Sequence, residues 1–370
     1  MRDESIEISS RAHEGFLNFD LPRSVGFRKM DCGPLMTNFH PSNRLGSTVI
    51  ASSAAVFGSL SIPSLTIDRQ FGMEPGKLRN RAGIRSVSHA APNESEVSLG
   101  MRAAVDAFES AKIAPDACDW VFASSETHHT FPSLAADLHA GLGLPESCGA
   151  LDIGGACLGL LHELATAQAF MANGRARRIL IVTSDVHSRT LTSERVRGEF
   201  GGLFGDGATA FMVQDASQPT NDRVFGLGEF FFGCAAQFAK AIEIKDSVNG
   251  ELNVVFAGDA LSRAAITKMA QVISEVERRS GISRQNAIGF ATHQPNPRLV
   301  RLLAKQTGVA SDRFPAVAEI HGNLGSSTCG AALHELLVAA RKLEGRENLP
   351  IFLASLGPGL LFGGGWLAGR

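Results

Sequence analysis

Tyrosine is absent from this 370-residue chain and tryptophan occurs only twice, whereas phenylalanine occurs 23 times. The chain also lacks any uninterrupted apolar stretch of the roughly 18 residues that a transmembrane helix needs. Its start, Met1-Arg-Asp-Glu-Ser5, has neither the basic residues nor the apolar run of a signal peptide. These absences argue against membrane insertion and export, and they predict a cytoplasmic protein.

No excess of charge of either sign is present. The 35 Lys and Arg residues nearly balance the 37 Asp and Glu residues, which leaves a net charge of -2 and predicts no nucleic-acid or membrane partner. Cysteine pairs of the CxxC type are missing, and the six cysteines are irregularly spaced. The His128-His129 pair has no Cys or carboxylate at a suitable spacing. We therefore expect neither a metal site nor a disulfide framework.

The order of predicted elements divides the chain into three parts. Residues 1–46 are polar, contain Pro22, Pro34 and Pro41, and are interpreted as an N-terminal extension. Residues 47–215 and 216–370 are predicted to be two similar halves, alike in element order but without sequence identity. Strands are predicted at 48–56, 120–124, 150–153, 178–184, 208–213, 287–292, 316–320, 350–355 and 361–367, and helices at 98–111, 132–142, 158–172, 260–280, 297–307 and 327–344. This alternation predicts an α/β fold with a largely parallel sheet that helices cover on both faces.

Cys157 is the first candidate catalytic residue. The stretch 151–161 reads as a short apolar strand that turns through Gly154-Gly-Ala156 into a helix, and Cys157 lies at the turn. Unpaired backbone N–H groups and the positive end of the helix dipole favour a thiolate over a thiol at such a position. We therefore expect Cys157 to be a nucleophile, although a buried packing cysteine is the alternative.

His293 and Asn323 are the second and third candidates. His293 is predicted to end the strand 287–292, and open α/β sheets gather their chemistry at the carboxyl ends of strands. Asn323 is predicted to lie between the end of strand 316–320 and a helix. A neutral imidazole and a carboxamide can donate hydrogen bonds to the enolate oxygen that forms when a carboxylated thioester loses CO₂. Each residue alone also fits a structural role.

Six short strings surround the three candidates. They are Arg-Ala-Gly-Ile-Arg at 81–85, Thr-Phe-Pro-Ser at 130–133, Thr-Ser-Asp-Val at 183–186, Phe-Gly-Asp-Gly-Ala at 204–208, His-Gln-Pro-Asn at 293–296 and His-Gly-Asn at 321–323. Together they resemble the thiolase superfamily, and most of all beta-ketoacyl-acyl-carrier-protein synthase III, from about residue 48 to the C-terminus. The resemblance implies a thiolase-like five-layered α-β-α-β-α fold of two similar halves, a homodimer, and catalytic roles for Cys157, His293 and Asn323.

The activity that this resemblance implies is a decarboxylative Claisen condensation. An acyl-CoA or similar thioester would acylate Cys157, and a malonyl group on an acyl carrier protein would then lose CO₂ and attack the acyl group. Coenzyme A and phosphopantetheine thioesters are substrates in this scheme, and no permanently bound cofactor is implied. Phe131 matches a residue that, in related enzymes, extends across the dimer interface and forms part of the wall of the partner's acyl pocket. A Glu at that position would have indicated the head-to-head condensing relatives.

Further residues are assigned to substrate binding by the same resemblance. Arg81, Arg197 and Asn296 match positions near the coenzyme A phosphates and pantetheine, and Arg298 is placed to meet an acidic carrier protein. Each arginine could instead be a solvated surface charge.

Two departures from the family pattern are visible. Lys77 stands where the relatives have a Trp that stacks on adenine, so a carrier protein could deliver the first acyl group instead of coenzyme A. The family's all-glycine loop is replaced by Leu356-Gly-Pro-Gly-Leu360, in which Pro358 has no N–H to donate. The oxyanion hole would then use the Cys157 N–H and a neighbour in this loop such as Gly359. These changes predict a specialised relative, in fatty acid or polyketide-like metabolism.

Three other functions stay open. Acyl transfer from a thioester to an alcohol or amine needs only Cys157 and His293. A cysteine peptidase has the same Cys, His, Asn order, but Gly155-Ala-Cys-Leu-Gly159 does not match the surroundings of a peptidase cysteine. A non-catalytic partner subunit is the third alternative, and the intact trio argues against it.

Overall fold

The computed structural model describes residues 45–196, 198–220, 223–235, 242–246, 252–256, 258–343 and 349–370. Nearly all of the predicted extension, and Arg197, lie outside these residues. The strands are β1 Thr48–Phe57, β2 Leu60–Pro63, β3 Ser86–His89, β4 Trp120–Ser124, β5 Gly149–Asp152, β6 Arg178–Val186, β7 Asp206–Asp215, β8 Phe225–Leu227, β9 Phe231–Cys234, β10 Ile242–Asp246, β11 Leu252–Phe256, β12 Gly289–Thr292, β13 Pro350–Gly357 and β14 Leu361–Gly369. The helices are α1 Ser64–Gln70, α2 Glu96–Ala111, α3 Leu134–Gly141, α4 Gly159–Ala172, α5 His187–Thr190, α6 Glu199–Gly202, α7 Gly258–Ser280, α8 Pro297–Thr307, α9 Val317–His321 and α10 Ser327–Arg341.

The main sheet is mixed, not largely parallel as predicted. Its order is β12-β13-β14-β8-β1-β7-β6-β4-β5, and β9 pairs with β14. Only β4 with β5, β4 with β6, and β12 with β13 are parallel, whereas β1, β7, β13 and β14 have antiparallel partners. Helices cover both faces of the sheet, so even the antiparallel strand β7 is buried from Asp206 to Gln214. Its continuous apolar sequence is therefore the pattern typical of a parallel strand, and this is why the sequence predicted a largely parallel sheet.

Five layers are held together by three large hydrophobic cores among the described residues, and the central core lies on both sides of its helices. Helices α2 and α3 pack on the outer face of β1, β4, β6 and β7 through residues such as Leu99, Leu134 and Leu180. Helices α4 and α10 lie in the centre, with strands on both sides of them. On the other side, α7 and α8 pack on β12, β13 and β14 around Phe290 and Phe352. The predicted five-layered α-β-α-β-α fold is confirmed, while the division into two similar halves stays a prediction.

One predicted strand is wrong. Residues 316–320 were expected to be a strand, but Val317–His321 is the short helix α9. The β-branched Val317 and Ile320 favour a strand locally. However, Val317 and Ala318 are buried on one side of a single helical turn, which ends at Gly322 with φ 78. Asn323 therefore follows a helix, although it still precedes α10 as predicted.

Most other elements agree with the prediction to within a few residues, and β4 and α8 have the predicted bounds. None of the described helices combines the length and apolarity needed to cross a bilayer.

Candidate active site

Cys157 lies in a tight turn between β5 and α4. Gly155 has φ 140 and Ala156 has φ 50, so the chain passes through the left-handed region directly before the cysteine. A left-handed φ is costly for a residue with a Cβ, and such strain persists where the surrounding structure enforces it. A 3₁₀ turn at Ala156–Leu158 then leads directly into α4. Cys157 is 7% exposed, at the start of the helix where the sequence predicted it.

The end of β13 holds this turn in place. The Ser355 hydroxyl donates a hydrogen bond to the Cys157 carbonyl oxygen at 2.6 Å. A Cβ added to Gly357 would lie 3.0 Å from Leu158 and 3.7 Å from the Cys157 nitrogen, so the loop after Ser355 lies against the nucleophile. Gly359 lies further along this loop with φ 78. Backbone groups of the loop are therefore close to Cys157, as an oxyanion hole would require.

His293 directly follows β12, and its backbone N–H bonds to the carbonyl of Ala354 at 3.2 Å. Its ring is buried, and Nδ1 has no hydrogen-bond partner among the described residues. Burial lowers the pKa of His293 to about 4, although the negative charge of Glu126 partly opposes this shift. The imidazole is therefore neutral at pH 7, as the sequence interpretation required.

The Asn323 carboxamide has a defined orientation. Its Oδ1 accepts hydrogen bonds from the Gly325 N–H and the Thr328 hydroxyl, each at 3.1 Å. Because the Gly325 N–H can only donate, these contacts assign the oxygen to that side and leave the NH₂ group as the donor. The residue is buried.

Sequence reasoning missed Glu126, Asp185 and His187, three ionisable residues beside the nucleophile. Glu126 follows β4, Asp185 lies near the end of β6 and His187 opens α5. The Glu126 and His187 side chains form an ion pair with Oε2 and Nε2 3.5 Å apart. Glu126 acts electrostatically on both Cys157 and His293, which brings these two predicted residues into one site. The rule that selected His293, an ionisable residue at the carboxyl end of a strand, would also have selected Glu126.

The protonation state of Cys157 contradicts the sequence expectation of a thiolate. Burial raises the pKa of the Cys157 thiol well above its usual value, and the carboxylates of Glu126 and Asp185 add to this effect. The backbone N–H at the helix start acts in the opposite direction but is outweighed. Cys157 is therefore a thiol at neutral pH and needs a base when it attacks.

A predicted coenzyme A residue, Arg81, and the predicted carrier-protein residue, Arg298, lie on two elements that pack close together. Arg81 is exposed on a π-helical turn at Leu78–Ala82, and Arg298 is exposed on the first turn of α8. A Cβ added to Gly83, which ends the π-helical turn, would lie 3.0 Å from Pro297. Asn296 caps α8 by accepting a hydrogen bond from the Leu299 N–H at 3.0 Å. The role of these residues in binding a phosphate-bearing ligand stays a prediction.

Phe131 is 97% exposed, on the loop between β4 and α3. Singly exposed apolar side chains are common on protein surfaces, so the role of Phe131 at a dimer interface stays a prediction. Lys77 contacts Glu199 at 3.8 Å.

Sequence comparisons identify similar proteins. The model of the 3-oxoacyl-[acyl-carrier-protein] synthase III family matches residues 151–227, and the model of its C-terminal domain matches residues 278–368. Beta-ketoacyl-[acyl-carrier-protein] synthase III of Escherichia coli strain K12 is 29% identical over 288 residues, which cover 76% of this chain and 87% of the relative.

Solved structures share the fold. The priming beta-ketosynthase of the R1128 polyketide biosynthetic pathway superimposes with a TM-score of 0.77 at 23% identity, over 88% of this chain and 96% of the other. The 3-oxoacyl-[acyl-carrier-protein] synthase III of Aquifex aeolicus VF5 gives a TM-score of 0.76 at 21% identity, over 87% of this chain and 99% of the other.

Proposed function

We propose that this chain, which matches the models of both domains of 3-oxoacyl-[acyl-carrier-protein] synthase III, forms carbon–carbon bonds by decarboxylative Claisen condensation. The observation that carries this proposal is the position of Cys157. It lies in a strained turn at a helix start and close to Glu126, whose carboxylate also acts on the neutral His293. Acyl transfer needs such a nucleophile together with groups that stabilise oxyanions.

The first half-reaction is acylation of Cys157. Its sulfur attacks the carbonyl carbon of an acyl thioester, the carbonyl becomes an oxyanion, and the bond from that carbon to the donor sulfur then breaks. The Cys157 N–H and the backbone around Gly357 to Gly359 are the donors that we assign to the oxyanion, because this loop lies against Cys157. The donor leaves as a free thiol.

The second half-reaction is the condensation. A malonyl thioester loses CO₂, and the electron pair of the broken bond enters an enolate. The imidazole N–H of His293 and the NH₂ group of Asn323 are the donors that we assign to the enolate oxygen. This role needs a neutral imidazole, which agrees with a His293 pKa of about 4, lowered mainly by burial. The enolate carbon attacks the acyl carbonyl, and the Cys157 sulfur leaves as a thiolate that takes one proton from solvent to restore the thiol.

Coenzyme A and carrier-protein thioesters are the proposed substrates, and a homodimer is the proposed assembly. The exposure of Arg81 and Arg298, and the close packing of Gly83 on Pro297 beside Asn296, support a phosphopantetheine-bearing ligand here, and Arg197 belongs to the same assignment from the sequence. A partner protomer that received Phe131 would explain its exposure. The five free cysteines among the described residues fit a reducing cytoplasm.

Acyl transfer to an alcohol or amine is the second candidate function. The carboxylates of Glu126 and Asp185 both act on the Cys157 thiol. A malonyl carboxylate must enter against this negative charge, whereas an uncharged acceptor meets no such repulsion.

Intact-mass spectrometry after mixing with acyl-CoA and acyl carrier proteins tests the proposal. We expect one acyl adduct on wild type and on Cys234→Ala, which removes an exposed thiol, but none on Cys157→Ala. Malonyl carrier protein should then discharge the adduct with release of one CO₂ per acyl group. Discharge only by alcohols or amines, without CO₂, would select the second candidate. An adduct that persists on Cys157→Ala would contradict both.

A further inference from the structure

The Glu126 carboxylate has one oxygen that is not engaged. Its Oε2 pairs with His187, while Oε1 is buried and has no hydrogen-bond partner among the described residues. The backbone N–H of Glu126 donates to Asp185 Oδ1 at 2.5 Å, which fixes the start of the loop after β4. The side chain is only 16% exposed. A buried carboxylate oxygen without a donor is costly, and its position next to Cys157 provides an explanation for it.

His187 keeps this carboxylate ionised. Its side chain is 5% exposed and stacks on Phe204, with ring centroids 4.6 Å apart. A Cβ added to Gly325 would lie 2.4 Å from the His187 ring, so the backbone there also confines it. Burial opposes the charge on His187, but hydrogen bonding to Glu126 and the nearby Asp185 raise the pKa of the imidazole to about 9. Burial likewise opposes ionisation of Glu126, yet His187 holds the pKa of that carboxyl below its usual value.

Other carboxylates in the neighbourhood are less suitable as a base. Asp185 accepts four hydrogen bonds, from Ser125, the Glu126 N–H, and the N–H and hydroxyl of Ser326. Glu163 is buried with both oxygens unpartnered among the described residues, and its pKa is raised well above the usual value by burial, so it is neutral. Glu126 is therefore the ionised carboxylate beside Cys157 that has an oxygen free to accept a proton.

We propose that Glu126 is a catalytic base that accepts the proton of the Cys157 thiol during acylation, and that His187 is its positioning residue. This inference rests on the proposed function, since it assigns the proton of the first half-reaction. As the sulfur attacks, a sulfur–carbon bond forms and the thiol proton moves to Oε1 of Glu126. As the carbon–sulfur bond to the donor breaks, the departing thiolate takes that proton. Glu126 returns to the carboxylate, and no external proton is consumed.

Two reactions of the same sulfur test this role. Acylation by a thioester needs the base, and we expect Glu126→Gln to slow it about 10²- to 10³-fold. Alkylation by iodoacetamide depends on the thiolate fraction, and Glu126→Gln removes a negative charge that disfavours the thiolate. Alkylation should therefore become faster, by about 3-fold per unit of lowered thiol pKa, because a less basic thiolate is also a weaker nucleophile.

Matched variants separate this chemistry from a structural effect. Glu126→Asp retains the acid and should recover part of the acylation rate. Glu94→Gln removes another buried, ion-paired carboxylate, which bonds to Arg102 and Ser59, and should leave both reactions unchanged. Acylation and alkylation that slow together in Glu126→Gln would indicate a structural role and overturn the inference.

The pH profile of acylation gives a second measurement. The charged and titratable groups that act on Glu126 are His187, Cys157, His293 and the nearby Asp185. Replacing His187 by Gln removes the imidazolium, so the acid limb of the acylation profile should move to higher pH. If the acid limb lies at the same pH in wild type and His187→Gln, His187 is not a positioning residue for Glu126. A wild-type chain that no thioester acylates would contradict the proposed function together with this inference, whereas equal acylation of wild type and Glu126→Gln would contradict the inference alone.

Discussion

Gly159, the first residue of α4, packs so closely on β4 that an added methyl group should disturb the nucleophile. A Cβ there would lie 2.1 Å from the Ser124 hydroxyl and 2.8 Å from the Ser124 Cβ. The hydroxyl can rotate away, but the Cβ is fixed to the strand. Overpacking of this kind costs about 1–3 kcal/mol, whereas Ala in place of Gly in a helix gains at most about 1 kcal/mol. We expect Gly159→Ala to lower the free energy of unfolding by about 1–2 kcal/mol and to slow acylation of Cys157.

The compensating change is Ser124→Gly, which removes both clashing atoms and leaves Ser326 Cβ at an ordinary 3.5 Å. The Ser124 hydroxyl is buried without a hydrogen-bond partner among the described residues, so its loss breaks no bond seen there. Glycine in a strand costs about 0.5–1 kcal/mol. The double variant should therefore show a favourable coupling of about 1–2 kcal/mol relative to the two single variants.

Urea unfolding followed by fluorescence of Trp120 and Trp366, together with the acylation rate from intact mass, measures both effects. Ser124→Ala is the control that removes the hydroxyl but keeps the Cβ, and in the double variant it should rescue Gly159→Ala less well than Ser124→Gly does. Wild-type stability in Gly159→Ala, or no recovery with Ser124→Gly, would refute the packing argument.

Three further predictions concern the Glu126–His187 ion pair, the exposed Phe131 and the exposed Arg298. The His187 pKa is raised to about 9 from an ordinary 6.5, because hydrogen bonding to Glu126 and the nearby carboxylates outweigh burial. The protonated His187 therefore stabilises the fold fully below pH 6.5, and this stabilisation is lost as the pH rises through 9. The difference in free energy of unfolding between wild type and His187→Gln, measured with urea, should therefore shrink between pH 6.5 and 10. A difference that stays constant over this range would contradict the stabilising role of the charged His187. Phe131→Asp should leave protomer stability within about 0.5 kcal/mol of wild type but weaken self-association in sedimentation velocity, because the side chain is 97% exposed; unchanged association would count against its interface role. Arg298→Glu should raise KM for an acidic carrier protein while leaving kcat nearly unchanged, and Lys305→Glu on the last turn of the same helix is the control; equal effects of both variants would argue against a specific contact.

Local sequence was sufficient for the elements that carry the site. The turn before Cys157 was predicted from small residues next to a helical repeat, and both the turn and α4 are present. The proline and asparagine that begin α8 also act locally, through a fixed φ and a side-chain cap. The resemblance to a known family then supplied the five-layered fold, which local patterns cannot specify.

Tertiary structure alone decided the pairing of strands and the charge of the site. Burial on both faces gives antiparallel and parallel strands the same apolar pattern, so β7 could not be distinguished from a parallel strand. The thiol state of Cys157 depends on Glu126 and Asp185, which arrive from the ends of β4 and β6. A helix start favours a thiolate wherever it occurs, but burial and two carboxylates brought from elsewhere in the chain reverse that preference, because charges interact strongly away from water.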